Sequence, residues 1–383
     1  MEQQLKNTYD LIYLMGCSLR QMPPDPQRVS GMDLEAIHQL SSSQSLDAMT
    51  CMALEASEVE FTGPLARLWI EKKNKVLRKT VLMDLERQAV CDYLEQIGAW
   101  YLPLKGSILQ ELYPRAGMRQ MGDTDILYDS AFQAPLCRWF TDRGYTAVSV
   151  GESKHDIYEK PPVLNFEMHI TLFAPGPEPW KTYCNHLHEH LLKLDGTRYG
   201  RCLSPENTYF YLLAHSYEHC TCSGSGLRIL SDLYVFLRQY RSCLHWDSLQ
   251  RLLEETELSS FENTVRSLAD KIFEENFDPD SLSQPELTLL HYLADCGTYG
   301  NSDIGIKNHL TQVQEKKGKL GGRLSYIWSR LFPDEFFYQS MGQGAALYQT
   351  PWQKTRFLFQ RFWRMLTRDR SRIFHELRLL FRK

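Results

Sequence analysis

Apolar positions along this chain change their period twice. From Pro64 to Ile97, residues Leu65, Leu68, Trp69, Val76, Leu77, Val81, Leu85, Val90 and Leu94 recur at three- and four-residue intervals, which predicts one long helix. Proline suits a first helical position and glycine stops a helix, so Pro64 and Gly98 mark the two ends. Residues 1–62 give shorter helical pieces, broken by MPPDPQ at 22–27 and SSSQS at 41–45. Beyond Gly98 short strands and helices alternate. AWYLPL (99–104) and TDILY (124–128) predict buried strands, with a short helix from Ser107 to Leu112 and the turn YPRAG (113–117) between them. Residues 131–143 predict a helix, YTAVSV (145–150) a strand, and GESKHDIYEKPP a hairpin loop. VLNFEMHIT (163–171) alternates most clearly: Leu164, Phe166, Met168 and Ile170 fall on one face, Asn165, Glu167 and His169 on the other. After the loop APGPEPW (174–180) the helical period returns in SPENTYFYLLAHSYEHC (204–220), LRILSDLYVFLRQY (227–240) and further helices over 245–340.

This order predicts an α+β fold, predominantly helical, with a small mixed-sheet core between helical flanks. The divisions expected are an N-terminal helical region (1–97), an α/β core (98–180), a C-terminal helical domain (181–350) and a basic amphipathic tail (351–383).

Composition adds a constraint on partners. With 43% apolar residues in 383, a sizeable core can form, and a net charge of −4 argues against a globally basic nucleic-acid binder. That sum conceals a segregation. Residues 351–383 hold ten Lys/Arg and two Asp/Glu, a net of +8, so the preceding residues carry −12. The tail mixes Phe, Trp and Leu with Arg at near-helical spacing. This suits packing on the helical domain or an anionic surface, whether lipid, RNA or an acidic partner, and the segment alone does not choose. The ten cysteines are scattered, no signal-type leader opens the chain, and no apolar run reaches the length of a membrane span. A cytoplasmic protein is the expectation, with the tail as a route to peripheral membrane contact.

The candidate chemistry is concentrated between residues 104 and 169. Asp123 and Asp125 stand two apart, so in a strand both carboxylates leave one face, where their repulsion favours a shared divalent cation, Mg²⁺ or Mn²⁺. Glu167, on the polar face of its strand, offers a third carboxylate, and His169 follows on the same face. Three acids on neighbouring strands are what two-metal phosphoryl or nucleotidyl transfer requires. Upstream, LKGS places Gly106 and Ser107 at a strand-to-helix turn suited to an anion, with Lys105 and Arg119 as nearby cations. His215 and His219 share a helical face, but Cys220 and Cys222 lack the usual zinc spacing, so packing or support of the nucleotide site is the expected role.

The ordered set Leu104-Lys105-Gly106, Leu112-Tyr113-Pro114, Arg119, Asp123/Asp125 and Glu167/His169 resembles the polymerase-β-type nucleotidyltransferase superfamily. More narrowly it is similar to bacterial nucleotidyltransferase family proteins with the pattern LKG…LYP…R…DxDhL…h(D/E)hH. AHSYEH (214–219), LRILSDL (227–233) and LFPDE (331–335) resemble later helices of that family, so the likeness spans roughly residues 65–365. It implies an NTP substrate held at Gly106/Ser107 and metals on Asp123 and Asp125. It also implies that Glu167 completes the metal site and activates an acceptor hydroxyl that attacks the α-phosphate. The acceptor stays open, and the alternative from another class is a non-catalytic scaffold of the same fold that binds RNA, an anionic membrane or a protein. Carboxylate geometry separates the two: the scaffold gains if Glu167 lies far from Asp123 and Asp125.

Overall fold

The structure, a computed structural model, describes residues 2–298, 300, 303–308, 350–367 and 378. The chain opens with α1 (Glu2–Arg20), α2 (Pro26–Ser30), α3 (Leu34–Ser43) and α4 (Asp47–Ala56). Asp25 and Asp33 cap the second and third by accepting from Gln27 N and Ala36 N, satisfying donors that a helix start leaves unpaired. The long helix α5 spans Gly63–Ile97 and stops where Gly98 turns left-handed at φ +78°, within a residue of the ends that Pro64 and Gly98 mark.

Next come β1 (Tyr101–Pro103), α6 (Gly106–Leu109), β2 (Thr124–Tyr128), α7 (Gln133–Asp142), β3 (Thr146–Ser149), β4 (His155–Lys160) and β5 (Leu164–His169). The sheet order is β1-β2-β5-β4-β3; β2 and β5 are parallel and the other pairs antiparallel. The fold is therefore α+β and predominantly helical, with a small mixed sheet. One element departs from expectation. The segment read as a hairpin loop contains β4, whose apolar residues Ile157 and Tyr158 are adjacent and so give no alternation.

The sheet has two unlike faces. Ile126, Tyr158, Phe166 and Met168 bury against Val90 and Leu94 of α5 and Leu136 and Phe140 of α7, with Phe140 stacked on Tyr158 at 4.2 Å. The chain continues through α8 (Pro179–His186), a small ribbon of β6 (Leu192–Lys193) and β7 (Arg201–Cys202), then α9 (Pro205–Thr221), α10 (Arg228–Tyr240), α11 (Trp246–Glu255), α12 (Ser259–Ile272) and α13 (Gln284–Cys296). Ser204 caps α9 through Asn207 N. A larger core joins α1, α3 and α4 to α9–α13, and takes in Leu102, Leu104 and Leu127 from the sheet region. These helices thus stand opposite the sheet's polar face.

A separate helix, Pro351–Thr367, exposes Trp352, Phe359 and Trp363. The helices expected over 309–340, the LFPDE motif and almost all of 368–383 lie outside the described residues. Among the described residues no helix is long and apolar enough to cross a membrane.

Candidate active site

The register of two parallel strands creates the site. Asp125 of β2 stands beside Glu167 of β5, and Leu127 beside His169, so Asp125, Glu167 and His169 share a face. On the other side of β5, His155 of β4 pairs with His169. Asp123 lies one residue before β2 rather than within it. Asp123, Asp125, Glu167 and His155 line a cavity of about 330 Å³, at the lower end of the range that holds small ligands.

The turn after β1 forms a second wall. Lys105 adopts φ +34°, a conformation costly for a side-chain-bearing residue and typical of functional turns. Its Nζ lies 3.7 Å from Asp125 Oδ2. Gly106 lines the cavity, and a Cβ there would press on the ends of the Met121 and Arg119 side chains, so a larger residue would need both to move. Ser107 is buried behind this wall, and its hydroxyl has no hydrogen-bond partner among the described residues. Arg119 reaches the cavity edge, but its Nε and Nη2 donate to Asp232 Oδ1 and Oδ2 at 2.7 and 3.0 Å. The Tyr113 hydroxyl also donates to Asp232 Oδ1, at 2.7 Å. Arg119 therefore ties the turn region to α10, with a partner already in place for its charge.

The wall opposite the sheet comes from α9 and α10, and Lys154, at the approach to β4, lines the cavity beside the sheet. His215 and His219 face the cavity with Nε2 atoms 3.0 Å apart. Arg228 donates to Gln120 O at 2.8 Å, and Lys154 lies 3.8 Å from Glu218. Sequence reading assigned no role to Lys154, His155, Arg228 or Asp232. The first two sit in and beside the unrecognised strand β4. The last two stand in LRILSDL, whose likeness to the family was the available signal.

The electrostatics separate the acids. Burial pushes the Glu167 carboxyl up to about 7, reinforced by Asp125 and Asp123. Asp123 is raised as well, by burial and then by Asp125. Burial acts the same way on Asp125, but the Lys105 ammonium and the His169 contact outweigh it and hold that carboxyl well below the ordinary range. His155 is lowered to about 3, first by burial and then by His169 and Lys154. His169 is lowered by burial against the pull of Asp125. Among the described residues, the carboxylates of Asp123 and Glu167 accept no hydrogen bond. Crowded acid oxygens with free lone pairs fit a hard divalent cation.

An Asp-x-Asp pair entering one strand, a third carboxylate in register on its parallel neighbour and a Lys-Gly-Ser turn after the antiparallel neighbour resemble a centre of the nucleotidyltransferase class. The chain belongs to the family described as uncharacterised nucleotidyltransferase, which matches residues 30–274. That span includes α5, the whole sheet and α9–α12. No curated protein and no solved structure matches the chain.

Proposed function

We propose that this protein is a divalent-metal-dependent nucleotidyltransferase that moves NMP from an NTP to a hydroxyl-bearing acceptor and releases pyrophosphate. The observation that supports it best is the register of Asp125 with Glu167, with Asp123 on the same cavity. The non-catalytic alternative would gain if Glu167 stood far from Asp123 and Asp125; here Asp125 and Glu167 are register neighbours and all three line one cavity.

Asp123, Asp125 and Glu167 would hold Mg²⁺ or Mn²⁺, which when bound neutralises phosphate charge and polarises the reacting oxygens. Lys105, Lys154 and Arg228 add fixed positive charge around the same cavity, where a triphosphate gains from it. Gly106 keeps the turn close-packed, and Arg119, closed on Asp232, positions that turn against α10. His169 holds Asp125 through Nε2, 2.9 Å from Oδ1. In the reaction the acceptor oxygen bonds to the α-phosphorus as the bond to the bridging oxygen breaks. Pyrophosphate leaves with the bond electrons, and the hydroxyl proton passes to a carboxylate of the cluster, in the first instance Glu167. The basic segment 351–383 is assigned to docking on an anionic surface or to acceptor recruitment, outside the chemistry.

The test is transfer of label from α-labelled NTPs, with Mg²⁺ or Mn²⁺, onto small hydroxyl compounds, tRNA and protein acceptors. Asp125→Ala should lower transfer by about 10³-fold or more and weaken NTP binding. The reading fails if the wild-type chain, supplied with either metal, neither binds nor turns over any NTP.

A further inference from the structure

We propose that the position beside Glu167 is a mixed nitrogen–oxygen metal site, formed by His155 Nδ1, His169 Nε2 and a Glu167 oxygen, which selects a transition-metal ion such as Mn²⁺ over Mg²⁺. The three donor atoms lie within 4.8 Å of one another. His155 Nδ1 is 3.3 Å from Glu167 Oε2, and His169 Nε2 is 3.7 Å from the same oxygen. Ligands at adjacent corners around an ion, each bonded at about 2.1 Å, stand about 3 Å apart, so the two pairs at 3.3 and 3.7 Å need only a small contraction.

Two features of the rings call for a cation there. His155 Nδ1 is buried and has no hydrogen-bond partner among the described residues, although it faces a carboxylate oxygen. Leaving such an atom unpaired is costly, and a metal would use its lone pair. His169 presents a tautomer conflict. Its Nδ1 lies 3.3 Å from Thr171 O and its Nε2 2.9 Å from Asp125 Oδ1, both acceptors, yet a neutral imidazole carries one proton. Without an ion the proton sits on Nε2 and is given to Asp125; on metal binding it would move to Nδ1, toward the Thr171 carbonyl, and free the Nε2 lone pair for the ion. A ligating histidine has this arrangement: a backbone carbonyl fixes the outer N–H and the inner nitrogen binds metal. Imidazole nitrogen suits Mn²⁺, Fe²⁺ or Zn²⁺, whereas Mg²⁺ favours oxygen donors and keeps its water.

This inference rests on reading the sheet's polar face as a metal centre, and its readout is independent of transfer. The full chain, stripped with chelator and loaded with Mn²⁺, is examined by pulsed electron paramagnetic resonance with natural-abundance and ¹⁵N-histidine protein. The expected result is strong nitrogen coupling of directly bound imidazole that changes with the isotope. In His155→Gln, the ratio of Mn²⁺ to Mg²⁺ affinity should fall about ten-fold or more. Bound Mn²⁺ without nitrogen coupling, or an unchanged ratio in a folded His155→Gln, overturns the inference and leaves a carboxylate-only centre standing. Nitrogen coupling in a protein that transfers to no acceptor upholds this site and counts against the catalytic reading alone. Failure to bind Mn²⁺ at all overturns both.

Discussion

Asp156 and Glu167 lie on adjacent strands of one sheet, and their side chains point to opposite faces. Asp156 is fully buried on the apolar side, where its oxygens accept from Tyr128 Oη, Gln133 Nε2 and Gly151 N at 2.7–3.0 Å. Glu167 looks into the cavity with two histidines near it and no hydrogen bond accepted among the described residues. The same functional group is thus saturated on one face and left available on the other. A buried carboxylate whose lone pairs are all taken holds structure, whereas one crowded by other acids with lone pairs to spare is placed to meet a cation or a proton.

Substitutions on the two faces should therefore fail in different ways. Phe166→Ala removes a ring packed 5.4 Å from Phe140 and should lower unfolding free energy by about 3–5 kcal/mol in denaturant titration. Its effect on transfer per folded molecule should be far smaller. Asp156→Ala leaves buried donors without an acceptor, and about 2–3 kcal/mol of destabilisation is expected from the same titration. If it instead abolished transfer in a stably folded chain, the division between faces would be wrong.

A carboxylate remote from the sheet sharpens the contrast through pH. Glu286, in the capping box of α13, accepts from Lys271, Ser267 and Ser283 N, which outweigh burial and lower its pKa to about 2. A depressed pKa means stabilisation that is complete above about 4.5 and is lost as pH falls through about 2. Glu286→Gln should cost about 1 kcal/mol at neutral pH, with the gap to wild type closing over that acid window. Equilibrium unfolding at a series of pH values measures it.

Much of this was legible in the sequence wherever period and chemistry agreed. The parity of VLNFEMHIT places Phe166 and Met168 in the core and Glu167 at the cavity, because a strand with one apolar face has a single stable register. The long helix could be read from Pro64 and Gly98. β4 was hidden because its buried face carries Asp156, a residue that counts as polar in any pattern and is buried only because three donors converge on it. Since His155 lies on β4, it was hidden too. Arg119 shows a different limit. Its spacing suggested a phosphate ligand, but the partner that takes its charge, Asp232, is supplied by a helix over a hundred residues later. No local pattern shows such a pairing.

The central claim is that the polar face of the sheet performs transfer while the apolar face carries stability, and Glu167→Gln tests it most directly. The substitution keeps size and removes one negative charge from a crowded cluster. Transfer from labelled NTP should fall by about 10²-fold or more, with a thermal midpoint equal to or above that of wild type. Wild-type transfer in this variant, or loss of activity that merely follows unfolding, would contradict the account.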